Sequence, residues 1–227
     1  MRIVVCIGGS VLAPGLDAGR VDAHADAIDG LVGANHEVAT VVGGGGIARK
    51  YIRTARELGA TEFDLDSLGI AVTRLNARLL VTALESSATP EPADSHEDAR
   101  ASLRRGEVAV MGGTVPGHTT DAVAALLAEM VGADLLVYAT SVPGVFSADP
   151  NENEDAKRYD SLTASELVDT IASIETSAGS NAPVDLLAAK IIERSGLRAV
   201  VLDGTDPSRI TAAVDGNADG TEVHPDE

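Results

Sequence analysis

Short unbroken apolar runs alternate with amphipathic stretches along almost the whole chain. The runs predict β-strands at 2–7, 37–42, 107–111, 134–139 and 198–202. The amphipathic stretches predict helices at 20–33, 47–58, 64–86, 97–105, 119–131, 163–173, 184–195 and 207–214. Strand and helix in alternation is the pattern of a mainly parallel sheet with helices on its faces, an α/β protein. Within 64–86, Leu65, Leu68, Val72, Leu75, Leu79 and Thr82 recur at helical spacing, and Ile70, Ala71 and Leu80 widen the stripe. A face that broad reaches both the sheet and a neighbouring subunit. Residues 87–97, SSATPEPADSH, read as a surface connection with an edge strand at most, and the prolines and acidic run inside 140–160 mark a change of character. The expected organisation is a single domain over 1–227 with one continuous sheet. About 1–139 forms its substrate-binding part, about 140–216 its nucleotide-binding part, and 217–227 a mobile acidic tail.

Three of the predicted strands empty into glycine. Ile3–Ile7 runs into Gly8, Gly9 and Ser10, and Val38–Val42 into Gly43 to Gly46 followed by Ile47, Ala48, Arg49 and Lys50. The third junction, VAVMGGTVPGHTTDAVAALLAE over 108–129, passes through Gly112 and Gly113 into a polar loop, and a helix opens on Thr119, Thr120 and Asp121. Free backbone N–H groups and small hydroxyls at a helix start suit an anion such as phosphate. In a parallel sheet all three junctions lie on the carboxyl edge, where open α/β folds bind ligands. The quartet at 43–46 also satisfies GxGxxA, but after the second strand and with no acid at the tip of the next one, which disfavours hydride transfer. No GxxxxGK[ST] occurs, so a P-loop is excluded.

Composition narrows the field further. Net charge is −18, and only three of the 17 basic residues are lysines (Lys50, Lys157 and Lys190). Such a surface disfavours nucleic acid and anionic membrane, which need a basic patch. Acidic, lysine-poor composition also looks like that of a protein from a salt-accumulating cell. Bound anions must then be held by a few local cations and by backbone dipoles. No apolar run approaches the roughly 18 to 20 residues of a membrane span, and no secretory pattern opens the chain, so a cytoplasmic protein is expected. Cys6, the single cysteine, reads as a small buried apolar residue, and the histidines show no metal-site spacing; no protein-bound metal is assigned.

Taken together, GGS at 8–10, VVGGGGIARK at 41–50, GGTVPGHTTDAVAALLAE at 112–129, GVFSADP at 144–150 and VDLLAAKIIERSG at 184–196 resemble the archaeal uridylate kinases of the amino acid kinase family. The resemblance runs over nearly the whole chain, and GGT-x-PGHTTDA is its specific element. It implies the three-layer α/β/α amino acid kinase fold, phosphorylation of UMP to UDP by ATP with Mg²⁺ carried by ATP, a place in pyrimidine nucleotide biosynthesis, and a homohexamer. Residue by residue it implies that Gly9 and Ser10 face the transferred phosphate and the triphosphate, with Gly45 and Arg49 toward ATP. Thr140, Phe146 and Asp149 hold the adenosine side. On the acceptor side, Gly44 touches the UMP phosphate and Asp66 the ribose hydroxyls, while Thr114, Val115, Pro116, Gly117, His118, Thr119 and Thr120 wrap base and phosphate. Asp121, Arg49 and Lys190 are the catalytic candidates: phosphoryl transfer needs positioning and charge neutralisation more than covalent chemistry.

Plainer readings stand beside these. Arg49 and Lys50 also suit a solvated first helical turn, Asp66 and Asp121 helix starts favoured by the dipole, Lys190 a surface position and Asp149 a turn before Pro150. His118 reads as a loop hydrogen-bonder. Cys6 stands where many relatives carry a first-strand lysine, Phe146 replaces a tyrosine, and Ser141 and Pro143 replace an Asn and an Asp. Two other functions compete: a kinase for another small acid such as acetylglutamate or carbamate, and a nucleotide-binding storage or regulatory protein on the same fold.

Overall fold

The computed structural model describes residues 1–148, 153, 155–175 and 182–226. Among these residues seven strands form one sheet: β1 (Arg2–Ile7), β2 (Glu37–Val42), β3 (Ala109–Met111), β4 (Leu135–Thr140), β5 (Ser161–Thr163), β6 (Ala199–Asp203) and β7 (Gly220–His224), in the order β3-β2-β1-β4-β6-β7-β5. β3, β2, β1, β4 and β6 run parallel, as their continuous apolar sequences require; β7 is antiparallel to β6, and β5 parallels β7. The helices are α1 (Gly9–Leu12), α2 (Ala18–Gly33), α3 (Gly45–Glu57), α4 (Glu62–Ala83), α5 (His96–Arg104), α6 (Thr120–Val131), α7 (Ala164–Glu175), α8 (Leu186–Ser195) and α9 (Ser208–Val214).

Strand periodicity sorts the core into two layers. Val4, Cys6, Val41, Met111, Tyr138 and Val201 face one way and pack with α5, α6, α7 and α8. Ile3, Val5, Ile7, Val42, Val137 and Leu202 face the other and pack with α1, α2, α4 and α9. With so few aromatic residues, the volume is filled by Val, Ile, Leu and Ala, and Tyr138 is the largest of the fully buried side chains.

Most predicted elements are present within a few residues, with three corrections. First, the supposed mobile tail contains β7: Thr221 and Val223 are buried between β6 and β5, and Thr221 Oγ1 donates to Tyr159 O at 2.6 Å while accepting from Val145 N at 2.9 Å. Its acidic neighbours hid a strand whose inward residues alternate with polar ones. Second, residues 9–12, read as glycine loop, close one turn of helix, α1. Third, α4 starts earlier than expected, because Thr61 caps it and forms a reciprocal capping box with Asp64. Asp66 is therefore in the second turn, and the helix-start reading of that residue falls. The 87–97 connection makes only isolated bridges, Ala88 with Val108 and Ala93 with Met111.

Candidate active site

β1 is the point where chain order reverses across the sheet: β2 lies on one side of it and β4 on the other. A cleft of about 530 Å³ opens there, beyond the carboxyl ends of the strands, the position expected for an open α/β fold. Its floor is the first two glycine junctions. Gly8, Gly9, Ser10 and Val11 come from the end of β1 and from α1, and Gly43, Gly44, Gly45 and Arg49 from the end of β2 and from α3.

The two junctions touch backbone to backbone. A Cβ on Gly9 would stand 2.3 Å from Gly43 O and 2.5 Å from Gly45 N; one on Gly45 would stand 2.4 Å from Ser10 N, and Gly45 has φ +60°. Only glycine allows this approach, which brings the starts of α1 and α3 to one place. Among the described residues no side chain caps α3, which leaves its first N–H groups for a ligand. Arg49, one turn in, donates from Nη2 to Ser10 Oγ at 2.9 Å, laying the guanidinium along the cleft.

The far wall is Thr140, Ser141, Val142, Gly144, Phe146 and Ala148 after β4, closed by Ile174, Ala182 and Pro183. Phe146 is held where 145–147 pairs with 157–159: Tyr159 N donates to Val145 O and Ser147 N to Lys157 O, both at 2.9 Å.

Between these walls stands Asp121, at the second position of α6 and beside Thr120 in the lining. Cys6 Sγ–H donates to its Oδ1 at 3.6 Å, Tyr138 donates to its backbone carbonyl at 3.0 Å, and the backbone N–H of Asp185 reaches its carboxylate. Burial and the negative charge of Asp185 push the Asp121 carboxyl up to about 7, against the weaker opposing effect of the Cys6 hydrogen bond. Burial also raises the Cys6 thiol and the Tyr138 phenol, so both are neutral donors at ordinary pH. Cys6 thus does more than fill space. Asp185, which caps α8 through Ala188 N, also accepts from Thr119 Oγ1, and Thr119 caps α6 through Ala122 N at 3.1 Å. The α8 start and the 112–119 loop are tied at that point.

The structure brings together Gly9, Ser10, Gly44, Gly45, Arg49, Thr120, Asp121, Thr140 and Phe146 in one cleft. Asp66 and Gly117 do not line it, but Asp66 Oδ2 accepts from Gly117 N at 2.8 Å, so the acid and the loop expected to share a ligand are already joined. Thr114, Val115, Pro116 and His118 belong to the same loop but do not line the cleft itself. Lys190 is exposed on α8, away from the lining, which favours the surface reading of that residue. Asp149 lies outside the described residues. Sequence reasoning missed Ile174, Ala182, Pro183 and Asp185; only Asp185 had a signal, an Asp immediately before an apolar helical run. Among the described residues no group of three or more His, Cys, Asp or Glu is arranged to hold a metal ion.

A mainly parallel sheet with a glycine-floored cleft at its switch point is the kind of site that takes a phosphorylated small molecule, and the family model for the amino acid kinase family matches residues 1–203. The chain belongs to the amino acid kinase family. It is 79% identical over 227 residues to the uridylate kinase of Natronomonas pharaonis, each chain covered completely. It is 63% identical to that of Haloarcula marismortui, again with complete coverage of both. The crystal structure of uridylate kinase from Archaeoglobus fulgidus matches 98% of this chain and 100% of its own with a TM-score of 0.88 at 45% identity.

Proposed function

We infer that this protein is a UMP kinase, a phosphotransferase that phosphorylates UMP to UDP. The observation that carries the reading is full-length identity of 79% to a uridylate kinase, with no part of either chain left over. The cleft supports ATP as the donor, with Mg²⁺ arriving on ATP. A UMP phosphate oxygen attacks the γ-phosphorus, the bond from that phosphorus to the β–γ bridging oxygen breaks, and ADP leaves. The protein needs no nucleophile of its own. The N–H groups at the start of α3 and the Arg49 guanidinium are placed to neutralise the oxygens in transit. We assign Gly9, Ser10, Gly45, Arg49, Thr140 and Phe146 to the ATP side, and Gly44, Asp66 and the loop from Thr114 to Thr120 to UMP. Asp121, between the two, orients donors and cations.

The test is a coupled ADP-release assay in high KCl, with and without UMP, and with CMP or AMP in its place. Release that depends on UMP and is well above that with CMP or AMP is expected. ATP binding without UMP-dependent turnover would instead support a storage or regulatory protein.

We also propose a cytoplasmic homo-oligomer, a hexamer by family. No described helix is long and apolar enough to cross a membrane. Tyr51 and Leu58 on and after α3, and Phe63, Leu75 and Leu79 on α4, are exposed large apolar side chains, Leu58 by 82%. Burial of this hairpin against a second copy accounts for them. Sedimentation in high KCl reads the assembly directly.

A further inference from the structure

α4 carries two polar side chains on an otherwise apolar buried face: Thr73, 7% exposed, and Asn76, 3% exposed. Three residues apart, they lie on one side of the helix. Asn76 Nδ2 donates to Gly43 O at 2.9 Å and to Gly44 O at 3.3 Å. Thr73 Oγ1 accepts from Gly113 N at 2.7 Å and donates to Ile70 O at 2.6 Å. The Thr73 methyl carbon lies 3.5 Å from the place a Cβ on Gly44 would occupy, and a Cβ on Gly112 would stand 2.6 Å from Thr73 Oγ1. Arg74 adds a third tie, from Nε to Gly113 O at 3.2 Å, with its guanidinium held by Asp94 at 2.5 Å. One turn of one helix thus holds both the 43–44 junction and the 112–113 junction from behind, and neither Thr73 nor Asn76 lines the cleft.

We propose that Thr73 and Asn76 are positioning residues that set the spacing between the two loops holding UMP. The proposal rests on the assignment of Gly44 and the 112–120 loop to UMP made above. A buried amide costs free energy unless it is paired, so its placement against two loop carbonyls specifies the loop conformation and does not merely fill the core. The rigid link fixes the acceptor phosphate relative to the uridine-binding loop. Catalysis depends on that kind of ångström-scale alignment. Among the described residues, none of those assigned to ATP (Gly9, Ser10, Gly45, Arg49, Thr140 and Phe146) is hydrogen-bonded to the Thr73 or Asn76 side chain, whose partners are Gly43, Gly44, Ile70 and Gly113.

Thr73→Val removes the hydroxyl at nearly constant shape, Thr73→Ser keeps it, and Asn76→Ser withdraws the amide. Each is assayed as full-length protein in high KCl for KM with UMP, KM with ATP, kcat and melting temperature. Loss of one buried hydrogen bond predicts a fall in kcat/KM for UMP of about 5- to 100-fold in Thr73→Val. KM for ATP stays unchanged and Thr73→Ser stays near wild type. Asn76→Ser follows Thr73→Val. A melting-temperature drop with unchanged UMP constants, or equal losses for ATP and UMP, overturns the proposal, as does failure of both Thr73→Val and Asn76→Ser to fold. A wild-type protein that does not phosphorylate UMP overturns instead the reading beneath it, so the two failures are distinguishable.

Discussion

Asp121→Asn separates what this carboxylate costs the fold from what it does in the cleft. Burial and the nearby charge of Asp185 raise the Asp121 pKa from 3.8 to about 7 in the folded protein. The unfolded chain therefore releases this proton near pH 4, while the folded protein keeps it until about pH 7. Ionisation favours the unfolded state throughout that window, so the contribution to stability falls as pH rises from about 4 to 7 and is lowest above 7. A shift of about three units at 1.36 kcal/mol each is about 4 kcal/mol. Asp121 opens on the cleft, where water screens it, and this brings the expected cost to about 2 to 4 kcal/mol. Asparagine cannot ionise and still offers an oxygen to Cys6. Urea unfolding at fixed high KCl is expected to show the variant more stable than wild type by about 2 to 4 kcal/mol at pH 8. The advantage should shrink by up to about 1.4 kcal/mol per unit as pH is lowered from 7 toward 4. Turnover should fall more than UMP binding weakens, a stability gain at the expense of function. A stability difference that is absent at pH 8, or the same at every pH, would refute the electrostatic reasoning. Unchanged turnover would remove Asp121 from the chemistry.

Three further outcomes are expected. Melting temperature should rise steeply with KCl, because a net charge of −18 repels itself and the Debye length falls from about 10 Å at 0.1 M to about 3 Å at 1 M; a flat profile down to dilute buffer would contradict this. Wild type should prefer UMP to deoxy-UMP by about 10- to 150-fold, the worth of one hydrogen bond to a carboxylate. Asp66→Ala should weaken both substrates by freeing Gly117 and should bring the two closer; a preference that survives intact places ribose recognition elsewhere. Thr40 Oγ1 is buried without a hydrogen-bond partner among the described residues, so Thr40→Val should stabilise the fold by about 1 kcal/mol, or about 2 to 4 °C in thermal melts; a loss of stability there would indicate a partner for that hydroxyl.

Local pattern was enough wherever burial and chemistry reinforce each other. The strands of the parallel sheet were legible because both of their faces are buried, which leaves unbroken runs of Val, Ile and Leu. Glycines 8–9 and 43–46 were legible because the chain must turn there with no side chain in the way. The same logic failed at β7, whose outward positions are polar and whose flanks are acidic, so that alternation over five residues read as a tail. Thr73 and Asn76 also escaped notice: polar residues within an apolar stripe carry no local sign of what they will meet.

The sequence by itself determined the α/β alternation, the three glycine junctions, the acidic surface and the family resemblance, because each is written in neighbouring residues or in composition. The tertiary structure decided which of those residues meet. It set Gly9 against Gly43, hung two loops on one turn of α4, joined Asp66 to Gly117, and brought Asp185 within the field of Asp121, 64 residues earlier in the chain. It also left Lys190 on the surface, where helical periodicity alone allowed either face. The reason is physical: propensity and periodicity act over a few residues, whereas the pKa of a carboxylate and the spacing of a cleft depend on burial and distance, which exist only once the sheet has assembled.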